Sequence, residues 1–135
     1  MGRREDYLER ERTTWPPFDD ALAAGRGSFG WSAGAVAAHV TFWMTRAAEA
    51  LEAIARGDYD PAAFAIDVDA ENERRLPEWG AVSLEEGRRS LAAARNRLVR
   101  AWSSIDDPDD EAAGWFEGDT FEHYEEHLEG ASDEP

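Results

Sequence analysis

The chain has 135 residues, with 30 acidic side chains against 14 basic ones and a formal net charge of −16. This length is that of one domain, and it is large enough to bury a core. The acidic surface repels phosphate backbones and no local basic patch offsets it, which argues against nucleic-acid binding. Since the chain contains no cysteine, it can form no disulfide, thiolate nucleophile or cysteine-based metal site of its own.

The sequence shows no sign of a membrane segment or a second domain. No stretch approaches about 18 consecutive apolar residues, and the acidic, arginine-bearing start is no signal peptide. We therefore expect a soluble, cytoplasmic protein. We find neither an internal repeat nor an inter-domain linker, so the prediction is a single domain over 1–135 with a frayed tail at 130–135.

The first predicted element is an interrupted N-terminal helix. Leu8, Trp15 and Leu22 repeat every seven residues, which is typical of one apolar helix face. Pro16 and Pro17 fall inside this pattern, and a proline removes a backbone donor and clashes with the preceding turn. The sequence therefore predicts a kink or a split into two pieces, with both prolines in the first turn of the second piece.

Two longer helices follow, with clear boundaries. Apolar residues at intervals of three and four predict a helix over 33–56, which begins after Ser32 as N-cap and ends at Gly57. A capping-box spacing that begins at Ser83 predicts the next helix over 84–105.

The segment between these helices, 57–82, is long for a connection in a bundle and is predicted to contain a turn or two of helix. A short last helix is predicted over 120–129, with Asp119 or Thr120 as N-cap and Gly130 as its end. Four helical stretches without a strand pattern predict an all-α fold, and a four-helix bundle is the simplest arrangement.

The three histidines of the chain are the main candidates for a functional site. His123 and His127 lie one helical turn apart on one face, so both imidazoles can converge on a point. His39 lies on the apolar stripe of the 33–56 helix, so all three are expected to point toward the core. Three imidazoles with an open fourth position are the ligand set of a catalytic zinc site, and nitrogen ligands also suit nickel or ferrous iron.

Other interpretations of the histidines stay open at this stage. An inward histidine is commonly a hydrogen-bonded structural residue, the last pair could lie on a solvated face, and convergence depends on the topology of the bundle. The letters from His123 to His127 also match the H-x-x-E-H motif of inverzincin peptidases, with Glu126 as general base. That interpretation is disfavoured because such enzymes need a further acidic ligand well downstream, and eight residues follow His127.

Three segments together resemble the DinB/YfiT-like four-helix-bundle family. "GWSAGAVAAHVTFW" is similar to the signature that opens the second helix of that family, and "GDTFEHYEEHLEG" is similar to its last-helix H-x-x-x-H segment. The third segment, "VDAENERRLPEW…SLEEGRRSL", is similar to the intervening N-x-x-R stretch and third helix of the branches with mycothiol-dependent maleylpyruvate isomerases and ClbS/DfsB-like proteins. The resemblance covers about Gly30 to Gly130.

The resemblance implies an up-down-down-up topology with a long crossover between the second and third helices. It implies a divalent metal, zinc or nickel in most members, held here by His39, His123 and His127. Members with known activity are metal-dependent thiol S-transferases or isomerases that use mycothiol, bacillithiol or a related thiol. The expected function is therefore thiol transfer to a small electrophile, or detoxification.

In such an enzyme the metal binds the thiol of a cosubstrate and lowers its pKa, which gives a thiolate that attacks the electrophile. Asn72, Arg74 and Arg75 lie where the family has polar groups near its pocket, and one arginine could hold a carboxylate. Trp43 could form a pocket wall, and Tyr124 could support the ligands from behind. The simpler alternatives are that the arginines pair with surface acids and that Trp43 is a core residue.

Two further functions come from other classes. A non-enzymatic protein would sequester a metal or a toxic small molecule in the same cavity. A bundle whose histidines no longer act would bind a partner through an apolar face. The wide aromatic stripe also favours a homodimer. A small-molecule substrate is expected for the enzyme. For none of the three candidate functions do we expect binding to nucleic acid or to a membrane.

Overall fold

The computed structural model describes residues 2–131, and that part of the chain is all-helical, so the predicted all-α class is confirmed. No helix within it is long and apolar enough to cross a membrane. The helices in chain order are α1 (Arg3–Ala23), α2 (Ala33–Arg56), α3 (Val68–Gly80), α4 (Leu84–Ser103), α5 (Asp110–Asp119) and α6 (Phe121–Glu129), with a 3-10 turn at Pro61–Phe64.

The starts of α2 and α4 agree with their sequence signals. The Ser32 hydroxyl accepts a hydrogen bond from the Ala35 amide at 3.1 Å, and the Ser83 hydroxyl accepts one from the Glu86 amide at 3.1 Å. Gly57 ends α2 with a φ of 80°, in the left-handed region that glycine adopts without a Cβ clash. Side-chain capping therefore fixes both helix starts as predicted.

The sequence predicted a kink or a split at Pro16 and Pro17, and of these two alternatives the split is wrong. α1 is one continuous helix that contains both prolines. The carbonyls that lose their helical donors belong to Arg12 and Thr13, which are exposed, so water can bond to them. Phe18, which directly follows Pro17, is 2% exposed, and it packs the helix against the core.

Two connections contain more helix than the sequence predicted. The 57–82 segment holds the whole of α3, which Asp67 caps, rather than a turn or two. The segment before the predicted last helix holds α5, which Asp109 caps. Trp79 is the one buried residue of α3, so this helix lacks the apolar stripe by which sequence periodicity identifies helices.

Contacts between α2 and α4 fix their relative direction. Gly87 near the start of α4 packs on Ala37 near the start of α2. Arg97 toward the end of α4 donates two hydrogen bonds, of 2.9 and 2.7 Å, to Glu52 toward the end of α2. The two helices therefore run in the same direction.

α1 and α6 run in the opposite direction. At the start of α1 the carbonyl of Arg4 accepts a hydrogen bond of 3.0 Å from the Trp102 indole, and further along Asp19 pairs with Arg88 at 3.3 Å. The end of α4 thus meets the start of α1. Aromatic contacts pair the start of α6 with the start of α1 and its end with the later part of α1: Tyr7 with Phe121 and Phe18 with His127.

A buried carboxylate joins α1, α4 and α6. Glu11 is 2% exposed, and its two oxygens accept hydrogen bonds of 2.7 Å from the Arg95 guanidinium. The Tyr124 hydroxyl donates a third, of 2.9 Å. Burial and the adjacent carboxylate raise the pKa of Tyr124, which keeps the phenol a donor. These partners satisfy a charge whose burial alone would be strongly unfavourable.

We expect Gly34→Ala to destabilise the protein, because a Cβ there would lie 2.4 Å from the Val82 carbonyl oxygen. The loss should be about 1–3 kcal/mol, as for an overpacked core. Gly114→Ala is the matched control, since a Cβ there meets nothing within 4 Å. Alanine favours the helix at that position, so stability should stay unchanged or rise by up to about 1 kcal/mol. Urea unfolding measures both variants, and equal midpoints would contradict the close approach at Gly34.

Candidate metal centre

The three histidines lie together in the core. His39 comes from α2, and His123 and His127 come from α6. The Nε2 atom of His123 is 3.0 Å from Nε2 of His39 and 3.0 Å from Nε2 of His127. All three side chains are buried, and one ring nitrogen from each lies within 4.8 Å of the other two. The opposite directions of the two helices and the one-turn spacing on α6 produce this cluster.

These separations fit the coordination of one divalent ion. Imidazole binds zinc at about 2.0–2.1 Å, and tetrahedral angles then place two such nitrogens about 3.3 Å apart. The two separations of 3.0 Å therefore need to change by only a few tenths of an ångström, and the nitrogens of His39 and His127 lie within 4.8 Å of each other. Among residues 2–131 no other group of three ligand-type side chains comes this close. The cluster could hold zinc, and its nitrogen donors equally suit nickel or ferrous iron.

Ser28 orients one of the histidines. Its hydroxyl oxygen is 2.5 Å from Nδ1 of His127, and its side chain is buried. The loop around Ser28 is tied to the end of α6, because the Phe29 amide donates to the Gly130 carbonyl at 3.2 Å. A hydroxyl that accepts a hydrogen bond from Nδ1–H leaves the Nε2 lone pair of His127 for a metal.

Of the tail that was predicted to fray, residues 132–135 lie outside the described part of the chain.

Burial keeps the histidines neutral. The Trp31 and Trp79 rings contact His39 edge-on, with centroids 4.9 and 5.1 Å away. Burial, reinforced by the adjacent His127, lowers the pKa of His39 to about 3. Burial also lowers the pKa of His127 to about 4 and that of His123 well below its ordinary value. Neutral imidazole is the protonation state that binds metals.

The cluster borders a cavity of about 370 Å³. His39 and His123 line this cavity, so a small molecule that enters it reaches the histidines. Its volume is at the lower end of the range for small-molecule sites. The other lining residues are Trp43, Arg46, Ile66, Val68, Asp69, Asn72, Trp115, Gly118, Asp119 and Glu126.

Two of the other predicted site residues lie on the cavity wall. Trp43 is buried on α2, one turn after His39, and Asn72 lies on α3. The Trp43 indole donates a hydrogen bond of 2.8 Å to Oδ1 of Asn72, which joins the two helices at the cavity. Glu126, the general base of the disfavoured peptidase motif, is an exposed lining residue.

The remaining predicted residues do not line the cavity. Arg74 and Arg75 both form ion pairs with Glu71 on α3, and Arg75 also lies over the Phe42 ring at 4.3 Å. The sequence left two roles open for these arginines, and pairing with an acid, rather than binding of a ligand carboxylate, is what the structure contains. Tyr124 is fully buried and bonded to Glu11, away from the cavity.

The structure adds two charged residues that sequence reasoning did not place in the site. Arg46 lies seven residues after His39, on the same face of α2, and this spacing could have identified it. Asp119 ends α5 and was considered only as a helix cap. Burial raises the pKa of Asp119 to about 7, although the nearby Arg46 acts in the opposite direction.

The site thus offers three neutral nitrogen donors beside a small cavity whose wall carries a guanidinium and a carboxyl group. Such a combination can hold a divalent cation, bind a small polar molecule and exchange a proton. Comparisons of the chain with protein families, with curated proteins and with solved structures found no match. Its function is therefore inferred from the geometry and from the motifs in the sequence.

We expect the metal-free protein to lose stability as the pH falls below 6.5. Above that value the histidines are neutral in both states, but below it they take up protons in the unfolded chain and not in the fold. A histidine that stays neutral in the fold would contribute about 2 kcal/mol of destabilisation at pH 5. Urea unfolding with a chelator present measures this loss. His39→Gln should show a shallower pH dependence, and an unchanged slope would mean that folded His39 is protonated.

Proposed function

We propose that this protein is a divalent-metal-dependent enzyme of the DinB/YfiT-like four-helix-bundle type, which transfers a low-molecular-weight thiol to a small electrophile. The observation that carries the proposal is the convergence of His39, His123 and His127, all neutral, at the edge of a cavity. Three protein ligands beside an open volume are typical of catalytic zinc sites, whereas structural sites usually have four. Thiol S-transfer or thiol-dependent detoxification fits the sequence motifs that surround these ligands.

The directions of the four main helices support the family part of the proposal. α1 and α6 run one way, and α2 and α4 run the other way, which corresponds to an up-down-down-up order. The segment that contains α3 serves as the crossover between the two parallel helices. This order places His39 opposite the pair on α6, and the segments that resemble the family lie on these helices and on α3.

The chain contains no cysteine, so the nucleophile would arrive with a cosubstrate. A divalent metal, when bound, would lower the pKa of that thiol so that its thiolate forms near neutral pH. In this scheme His127 would donate its Nδ1 proton to the Ser28 hydroxyl, which would leave Nε2 of that ring for the metal. The Asp119 carboxyl lines the same cavity and has a pKa near 7, so it would be the group that accepts the thiol proton and returns it to the product after the new carbon–sulfur bond has formed.

Elemental analysis should find a stoichiometric divalent metal in protein purified without a His-tag or a nickel column. His39→Ala should lower the metal content to background, because two ligands remain where three are needed. Glu126→Gln is the matched control, since this exposed residue would be the essential base of a peptidase motif and is no ligand in our scheme. A wild-type protein that is empty and whose stability does not respond to a chelator would overturn the site.

Thiol binding separates the enzyme from a protein that only sequesters a metal or a small molecule. Cobalt-substituted protein should develop a thiolate-to-metal absorption band with 2-mercaptoethanol at neutral pH, where the free thiol is protonated. The band should be absent in His39→Ala and present in Glu126→Gln. Metal binding without this band would contradict the thiol chemistry and favour sequestration.

A further inference from the structure

Arg46 is a cation on the cavity wall, where the nearby Asp119 carboxyl interacts with it electrostatically without forming an ion pair. The chain has 30 acidic residues for 14 basic ones, and most of its arginines form ion pairs. Arg46, which is half-buried, forms none with any residue from 2 to 131. A partly buried guanidinium normally acquires a counter-charge, because its desolvation is otherwise unfavourable. The cavity is therefore the place where a partner for this group can come from a ligand.

The guanidinium of Arg46 is held in place by contacts with Phe64 and Trp43. Its Nη2 atom donates a hydrogen bond of 2.7 Å to the Phe64 carbonyl. Its Cζ atom lies 5.8 Å from the centre of the Phe64 ring and 6.0 Å from that of the Trp43 ring. The Nε atom is buried and has no hydrogen-bond partner within the described chain. A cation that is already fixed in this way loses little conformational entropy when it binds an anion.

We propose that Arg46 anchors a carboxylate group on the small molecule that enters this cavity. A planar guanidinium and a carboxylate match in geometry and charge, and their hydrogen bonds are among the strongest in proteins. The proposal rests on the proposed function, because it concerns the substrate or thiol cosubstrate of the same site. It gives to Arg46 the role that the sequence suggested for Arg74 or Arg75, whose guanidiniums are paired with Glu71.

The other charges in the cavity favour a carboxylate over a phosphate. Asp119 shares the wall with Arg46, and Asp69 and Glu126 are exposed lining residues. Each of these carboxyl groups repels an entering anion when ionised, and the repulsion grows with the charge of the anion. A singly charged carboxylate therefore gains the attraction of Arg46 with less repulsion than a doubly charged phosphate.

The position of Arg46 also limits the shape of the ligand. Seven residues separate it from His39, which corresponds to about 10 Å along α2. A molecule anchored at Arg46 can therefore reach the histidines only with atoms several bonds away from its carboxylate. Trp43 and Trp115 line the same cavity, so an apolar or aromatic body fits it.

Phenylacetate and its neutral analogue phenylacetamide test this assignment by isothermal titration of the full chain at millimolar ligand, with and without metal. We expect the wild-type protein to bind the acid about tenfold more tightly, which is the gain of one charged hydrogen-bonded pair. Arg46→Met should remove this preference and keep the affinity for the amide. Arg75→Met is the matched control, because it removes an arginine that lies outside the cavity, and it should keep the preference.

Asp119→Asn supplies a second readout in a protein that retains Arg46. Removal of a neighbouring negative charge should tighten the binding of phenylacetate several-fold above pH 7, where Asp119 is ionised, and leave phenylacetamide unaffected. This variant tests the proposal even where Arg46→Met does not fold. An unchanged affinity for phenylacetate in Asp119→Asn would count against a carboxylate bound at this wall.

Several results would overturn the assignment: equal affinities for the two compounds in the wild type, no binding of phenylacetate, tighter binding of phenyl phosphate, or a preference for the acid that survives Arg46→Met. A preference that is lost in His39→Ala and kept in Arg46→Met would place the carboxylate at the histidines instead. A wild-type protein that binds no added metal and still prefers the acid through Arg46 would refute the metal-dependent function and leave the carboxylate anchor intact.

Discussion

The buried carboxylate of Glu11 determines where the last helix lies. It binds Arg95 of α4 and Tyr124 of α6, so one side chain of α1 fixes two other helices. Tyr124 directly follows His123, and neighbouring residues on a helix point about 100° apart, so the other face of α6 turns toward α2. Removing one partner of a buried charge pair typically destabilises a protein by about 3–5 kcal/mol. The register of the histidines thus depends on a contact outside the cavity.

The same burial that positions the site also sets its charges. Removal from water makes the imidazole of His39 hard to protonate and the carboxyl of Asp119 hard to ionise. The histidines are therefore available as neutral donors, and Asp119 can exchange a proton near neutral pH. Arg46 places a guanidinium on the wall of the same cavity. An acidic protein thus presents a fixed positive group inside its cavity, where a metal would add further positive charge.

Local interactions could be predicted from the sequence, and tertiary ones could not. Ser32 and Ser83 were identified as caps because their hydroxyls bind amides three residues away, and the spacing of four placed two histidines on one helix face. The prolines of α1 misled the prediction because packing against the core and hydration of exposed carbonyls keep that helix intact. Ser28 contacts His127, which lies 99 residues later in the chain. Asp119 is the last residue of α5, and it lies at the cavity because of the way α5 and α6 pack in the fold. No local sequence pattern indicates either position.

The central claim is that His39, His123 and His127 bind one metal ion. The extended X-ray absorption fine structure of the bound metal tests it most directly, because this measurement reports both the type of ligand and its distance. For zinc we predict a first shell that contains three imidazole nitrogens at about 2.0–2.1 Å, with a fourth ligand from water or an added thiol. His39→Ala should retain little metal, and metal loaded into this variant in excess should have no more than two imidazole ligands. A shell of oxygen ligands alone, or three imidazoles that persist in His39→Ala, would contradict the three-histidine site.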